Sequence, residues 1–187
     1  GASAVVMNPR TGDVYAIANW PSYDPNDVGS ASEDELVNRA TGFTYEPGST
    51  FKAFTVAAAL EDEMVTPSTR YDLPPKIKVA DRVIDEAHAR PRETLTVAEI
   101  LAQSSNVGAV TIGLGIGGER FDHWIHEFGF DEPTGIEFPG EERGIVPRYE
   151  EYSGSTMGNL PIGQGLSVTP MQMATAYAAI ANGGILR

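Results

Sequence analysis

The sequence predicts a mixed α+β fold in which an antiparallel hairpin is followed by helices. Two short apolar stretches, at residues 4–7 and 13–18, flank a turn of Asn, Pro, Arg, Thr and Gly, the pattern of two strands joined by a hairpin. Apolar stretches of helical length follow at residues 49–62, 107–114 and 170–182. A length of 187 residues with 41% hydrophobic residues fits one domain or most of one.

The segments between these elements carry loop signals. Residues 20–32 are rich in Pro, Ser, Asp and Gly, and residues 139–155 are charged, so both are expected to be loops. Residues 70–92 contain three prolines and few helix signals, which predicts short strands and loops.

Helix start and stop signals define the other helices. Thr96 opens a Thr-Val-Ala-Glu capping box, and residues 119–128 form a short amphipathic pattern that Gly129 ends. Thr169, followed by Pro, Met and Gln, caps a last helix that is expected to end at Asn182, before two glycines.

Composition excludes several classes of function. A net charge of −13 argues against nucleic acid or an anionic membrane surface as a partner. The absence of cysteine excludes disulfides and thiol chemistry. No stretch has the length of a membrane span or the pattern of a signal peptide.

Ser49 and Lys52 stand one helical turn apart at the head of the apolar helix. Serine needs a base to become a nucleophile, and burial together with the helix dipole would lower the pKa of Lys52 so that it could act as one. A backbone N–H at the same helix end would supply half of an oxyanion hole. The alternative is an N-cap serine beside an exposed lysine, but the almost wholly apolar helix favours the chemical interpretation.

Ser104 and Asn106 lie in a Ser-Ser-Asn segment where a predicted helix ends and another begins. A hydroxyl and an amide at such a corner could relay a proton and hold an amide carbonyl. Read in isolation, the segment is better explained as an ordinary polar turn between helices. His123 and His126 have a spacing that could hold zinc, but a solvated helix face is favoured, and neither a metal nor an organic cofactor is expected.

The two motifs, Ser-x-x-Lys and then Ser-x-Asn, occur in the order found in penicillin-binding proteins and serine β-lactamases. Further segments resemble the transpeptidase domain of class B penicillin-binding proteins, and the match extends in the family's order over nearly the whole chain. These segments are residues 4–16, 38–40, 45–49, 133–136 and 161–174. The resemblance implies the penicillin-binding protein/serine β-lactamase-like fold and a D,D-transpeptidase that cross-links peptidoglycan stem peptides and is acylated by β-lactams.

By this resemblance, Ser49 is the catalytic nucleophile, Lys52 its base, Ser104 the proton relay and Asn106 the residue that binds the substrate amide. The implied partners are stem peptides, β-lactam antibiotics and, through the parent protein, membrane proteins of cell division or elongation. The implied location is the extracytoplasmic face of the bacterial cell membrane, with the parent anchored by a helix upstream of this chain.

The third motif of the family, Lys-Thr-Gly, is absent, because the lysines are Lys52, Lys76 and Lys78 and none precedes Thr-Gly or Ser-Gly. Arg-Thr-Gly at residues 10–12 is interpreted as the hairpin turn. Residues 1–187 are therefore expected to be a partial transpeptidase domain that ends before the third motif. One alternative is a β-lactam-binding sensor or a non-catalytic fragment that needs a partner segment. The other is a serine β-lactamase, which the lack of a segment resembling the deacylating glutamate loop disfavours.

Overall fold

The computed structural model describes all residues, Gly1–Arg187. The strands pair antiparallel in three two-stranded sheets. They are β1 (Ala2–Met7), β2 (Val14–Trp20), β3 (Arg70–Leu73), β4 (Lys76–Val79), β5 (Arg82–Asp85) and β6 (Glu93–Thr96). The helices are α1 (Glu33–Leu36), α2 (Arg39–Gly42), α3 (Lys52–Glu61), α4 (Val97–Ala102), α5 (Asn106–Ile116), α6 (Gly118–Glu127) and α7 (Pro170–Ala181).

The chain divides into two compact units. The first unit comprises Gly1–Tyr45, His126–Val146 and Ser167–Arg187. The second unit comprises Glu46–Ile125 and Pro147–Leu166.

The first unit is organised around the β1–β2 hairpin and α7. The strands pair from Ala2 opposite Trp20 to Met7 opposite Val14. Between them the Asn8 N–H donates to the Asp13 carbonyl at 2.8 Å, which confirms that the Arg-Thr-Gly segment is a hairpin turn.

Helix α7 begins and ends as its sequence predicts. Thr169 and Gln172 form the capping box, and Asn182 is the C-cap residue. Gln172 is buried, and its amide nitrogen donates to the carbonyls of Glu132 and Arg143, each at 2.9 Å. The buried Gln172 side chain thus has its polar groups hydrogen bonded, and these bonds join the start of α7 to the neighbouring loop.

The second unit has α5 at its centre, packed against α3 and α4. Most of α5 is buried, as expected for a helix that is apolar on all sides. Its residues contribute to a hydrophobic cluster formed by Val79, Ile84, Ala109, Val110 and Ile162. This packing holds the beginnings of α3 and α5, where the candidate site residues lie.

Several predicted element boundaries are confirmed, and others shift by a residue or a turn. The Thr96 capping box is present, and residues 70–92 form short strands and loops. The first turn of the predicted helix at Ser49 is a 3-10 segment, Gly48–Phe51, that leads into α3. Helix α5 begins at Asn106 rather than Val107 because the Ser105 hydroxyl caps it. No helix is long and apolar enough to span a membrane.

Candidate active site

The turn that carries Ser49 is held by the loop at residues 163–165. The Gly48 N–H donates to the Gly163 carbonyl at 2.9 Å, and the Gly165 N–H donates to the Glu46 carboxylate at 2.9 Å. Ser49 itself is exposed. The first N–H groups of a helical segment have no partner within it, so this turn offers a donor beside an accessible hydroxyl.

Gly163 allows this loop to approach the Ser49 turn closely. Its φ is +72°, and a Cβ built at this position would lie 2.2 Å from the Gly48 carbonyl oxygen and 2.7 Å from Phe51 Cβ. Only glycine tolerates both the backbone conformation and the contact. The sequence resemblance covered this segment but did not indicate this role.

Lys52 is buried, with 1% of its surface exposed, and its ammonium group reaches the corner between α4 and α5. Its Nζ lies 2.6 Å from the Ser104 carbonyl oxygen, 2.6 Å from Asn106 Oδ1 and 3.1 Å from Ser104 Oγ. An ammonium has three N–H donors, and these acceptors match them. The structure therefore brings together three of the four residues that the sequence singled out.

The fourth residue, Ser49, stands apart from this network. Lys52 Nζ makes no hydrogen bond to Ser49 Oγ, although the two residues lie three positions apart at the start of the same helical segment. The role of Lys52 as the base that activates Ser49 therefore stays a prediction. Catalytic hydrogen bonds are often long without substrate and shorten only when the complex forms.

Burial lowers the pKa of Lys52 from 10.5 to about 8. Desolvation is the largest cause, as the sequence predicts, because it disfavours the charged form. Two nearby charges act in opposite directions on this pKa: Glu86 raises it and Arg90 lowers it. The net result is a buried amine that can lose its proton near neutral pH.

The corner at Ser104 is a strained helix end. Ser104 has φ +55°, a left-handed conformation that non-glycine residues rarely adopt. Its N–H donates to the Leu101 carbonyl, and the Ser105 N–H donates to the Ile100 carbonyl, the pattern of a Schellman motif. The Ser105 hydroxyl then accepts from the Gly108 N–H at 2.9 Å and starts α5. Strained backbone of this kind is common at functional sites.

Glu86 and Arg90 complete the site, and the sequence analysis did not identify them. Glu86 accepts from Ser105 Oγ at 2.5 Å and from the Asn106 N–H at 2.8 Å. Arg90 Nη2 lies 3.5 Å from the Glu86 carboxylate. Both follow β5 in a stretch of short strands and loops, where neither periodicity nor motif spacing marks a charged residue as functional.

The histidines that raised the question of a zinc site, His123 and His126, are exposed on α6. No group of three or more His, Asp or Glu side chains in the structure is arranged to hold a metal ion.

Comparison with known proteins identifies the family. The family model described as the penicillin binding protein transpeptidase domain matches residues 2–187. Among curated relatives, penicillin-binding protein PbpB of Mycobacterium tuberculosis is 38% identical over 98% of this chain and 27% of its own length. A probable peptidoglycan D,D-transpeptidase, FtsI of Caulobacter vibrioides, is 34% identical over 100% of this chain and 31% of its own length.

Solved structures agree with these matches. Penicillin binding protein 3 of Mycobacterium tuberculosis, in its apo form, has a TM-score of 0.94 at 38% identity, over 97% of this chain and 41% of that one. The same protein complexed with ampicillin also has a TM-score of 0.94 at 38% identity, over 97% of this chain and 40% of that one. The chain spans less than a third of the length of the curated relatives named above. It belongs to the family of penicillin-binding protein transpeptidase domains and resembles the class B members.

Proposed function

We propose that this chain contributes the acylation site of a serine D,D-transpeptidase that cross-links peptidoglycan. The observation that carries the proposal is the buried Lys52 amine, which is hydrogen bonded to Ser104 and Asn106 at the start of the helix that follows Ser49. At a pKa of about 8, about a tenth of the Lys52 side chains are neutral at pH 7, against about three in ten thousand for an unburied lysine.

In the proposed mechanism Ser49 Oγ attacks the carbonyl carbon between the two D-Ala residues of a stem peptide. Neutral Lys52 accepts the serine proton, for which Ser49 Oγ must come within hydrogen-bond reach of Lys52 Nζ. The peptide C–N bond then breaks, and the departing nitrogen receives a proton through the Ser104 hydroxyl. An amine from a second stem peptide attacks the ester and releases Ser49.

A β-lactam enters the same sequence as a mimic of the donor peptide. Ser49 opens the lactam ring, and because the nitrogen stays attached to the acyl group, the product is a covalent adduct of the whole drug. In support, the similar penicillin binding protein 3 of Mycobacterium tuberculosis has a solved structure in complex with ampicillin. Asn106 is proposed to bind the side-chain amide of the drug or the peptide.

The parent protein is proposed to act at the extracytoplasmic face of the cell membrane, where its stem-peptide substrates are cross-linked. Cell-division or elongation membrane proteins are proposed as partners of the parent. Residues 1–187 are proposed to form part of its transpeptidase domain.

The test is the intact mass of the protein after incubation with excess benzylpenicillin, for the wild type, Ser49→Ala and Thr50→Ala. Thr50 is the matched control because its hydroxyl is next in sequence but donates to the Pro47 carbonyl at 2.6 Å. We expect one adduct in the wild type and in Thr50→Ala, and none in Ser49→Ala. An adduct that survives in Ser49→Ala would refute the assignment of the nucleophile.

The same protein samples also test the two alternatives, a serine β-lactamase and a non-catalytic fragment. Continuous hydrolysis of nitrocefin would indicate a β-lactamase rather than a transpeptidase. A folded wild-type chain without any adduct would contradict acylation by this chain and favour the non-catalytic alternative, in which a partner segment is required.

A further inference from the structure

The corner that receives Lys52 rests on a buried carboxylate. The Glu86 side chain is 5% exposed, and its two oxygens accept separately from the Ser105 hydroxyl and the Asn106 N–H. Asn106 is the first residue of α5, so the carboxylate also sits at the positive end of a helix. One side chain thereby fixes both the cap of α5 and the backbone of Asn106.

Arg90 holds the opposite side of the same corner. Its guanidinium lies 3.5 Å from Glu86, donates to Gln103 Oε1 at 2.7 Å and donates to the Gln103 carbonyl at 3.3 Å. Gln103 is the C-cap residue of α4. Glu86 therefore binds the start of α5 and Arg90 binds the end of α4, with Ser104 in its strained conformation between them.

The Asn106 amide is fixed by the same arrangement. Its nitrogen donates to the Asp85 carbonyl at 2.8 Å, which leaves Oδ1 to accept from Lys52. Asp85 is the last residue of β5 and Glu86 follows it, so the end of this strand binds Asn106 through both the side chain and the backbone of Asn106.

We propose that Glu86 and Arg90 are positioning residues, which hold residues 104–106 in the geometry that receives the Lys52 amine and set the electrostatic environment of that amine. The functional part of this inference rests on the proposed acylation site. The positioning part rests on the contacts alone and can be tested in the absence of any β-lactam.

The two charges give the proposal a signature that a purely structural role would lack. Glu86 raises the Lys52 pKa and Arg90 lowers it, so neutralising each residue should move this pKa in opposite directions. Loss of packing or local unfolding would instead expose Lys52 and move the pKa towards 10.5 in both variants.

The experiment is an NMR pH titration of the intact chain labelled with 13C at lysine Cε. The three lysines give a simple spectrum, Lys52→Met assigns the Lys52 signal, and the Lys78 signal serves as an internal reference. We expect Glu86→Gln to lower the Lys52 pKa by about one pH unit and Arg90→Gln to raise it by a smaller amount, as nearby charges do.

Glu93→Gln is the matched control. Glu93 is the second carboxylate beside Arg90, at 3.3 Å, and is 34% exposed, but it is not among the groups that shift the Lys52 pKa. This variant should leave the Lys52 titration close to that of the wild type. Shifts in the same direction for Glu86→Gln and Arg90→Gln, or no shift in either, would overturn the proposal.

If Glu86→Gln fails to fold, the Lys52 titration in the Arg90 variant becomes the test, because the Arg90 side chain is more accessible, at 19% exposed. Arg90→Lys, which keeps the positive charge but loses the guanidinium contacts, is then the comparison. A rise of the Lys52 pKa in folded Arg90→Gln that Arg90→Lys does not show supports the proposal, and an unchanged pKa or an equal rise in both variants refutes it. Opposite shifts without a benzylpenicillin adduct on the wild type would support the positioning roles while contradicting the proposed function.

Discussion

Replacing Lys52 with methionine should change how the stability of the protein depends on pH. The folded-state pKa of Lys52, about 8, lies below its unfolded value of 10.5, so the folded protein loses this proton first. Between these two values the unfolded state binds more protons, and wild-type stability therefore rises with pH across this window. Lys52→Met has no such proton to lose.

The magnitude follows from the width of the window. The folded and unfolded pKa values of Lys52 differ by about 2.5 units, which corresponds to a gain of about 3 kcal/mol in the free energy of unfolding over the whole window. About 2 kcal/mol of this gain is reached between pH 8 and pH 9.5. For a chain of this size, that gain should raise the wild-type melting temperature relative to the variant by about 4 to 8 °C.

The assay is thermal unfolding of both proteins, followed by circular dichroism at about pH 7 and about pH 9.5. Loss of the Lys52 hydrogen bonds destabilises the variant at both pH values, and tyrosine titration affects both proteins alike. The change with pH in the melting-temperature difference between the two proteins therefore reports the Lys52 proton alone. A melting-temperature difference that stays constant with pH would refute the inference that burial depresses the Lys52 pKa.

Two further substitutions test the backbone of the site. Ser104→Gly should be more stable than Ser104→Ala by about 1 kcal/mol in urea unfolding, because glycine removes the left-handed strain while both variants lose the hydroxyl; equal stabilities would mean that the strain is negligible. Gly163→Ala should cost more than about 2 kcal/mol and abolish benzylpenicillin labelling of Ser49, because its Cβ would meet the Gly48 carbonyl oxygen at 2.2 Å. Gly135→Ala has a similar φ of +78° but no atom within 4 Å of its Cβ, so it should cost only about 1 kcal/mol; equal losses at the two glycines would contradict the close approach.

Sequence alone predicted the parts of the fold that depend on neighbouring residues. The caps at Thr96 and Thr169 and the hairpin turn are local hydrogen-bond patterns, and the structure contains each of them. The burial of Lys52 followed from the apolar residues around it in sequence. Its grouping with Ser104 and Asn106, which are more than fifty residues away, was expected only from the family resemblance.

Other features depended on tertiary structure and could not be predicted in this way. Glu86 lies 19 residues from Ser105 in sequence, in a stretch with no periodicity, and only the packing of β5 beside α5 brings the two together. The left-handed Ser104 occupies a position where glycine is the usual residue, so the sequence lacks the glycine that would have marked this helix end. Gly163 is one of 20 glycines, and only its distance to Gly48 distinguishes it.

The three acceptors around Lys52 differ in whether they can reverse their hydrogen bond. When the ammonium becomes a neutral amine, it has two N–H groups and one lone pair, so one of the three contacts must change direction. The Ser104 carbonyl and the Asn106 amide oxygen can only accept, whereas the Ser104 hydroxyl, the most distant of the three at 3.1 Å, can rotate and donate. Ser104 is thus the group that lets the buried amine change its charge without leaving a polar atom unpaired. Because its hydroxyl then occupies the only lone pair of the amine, that hydroxyl must rotate away before the nitrogen can take the proton from Ser49.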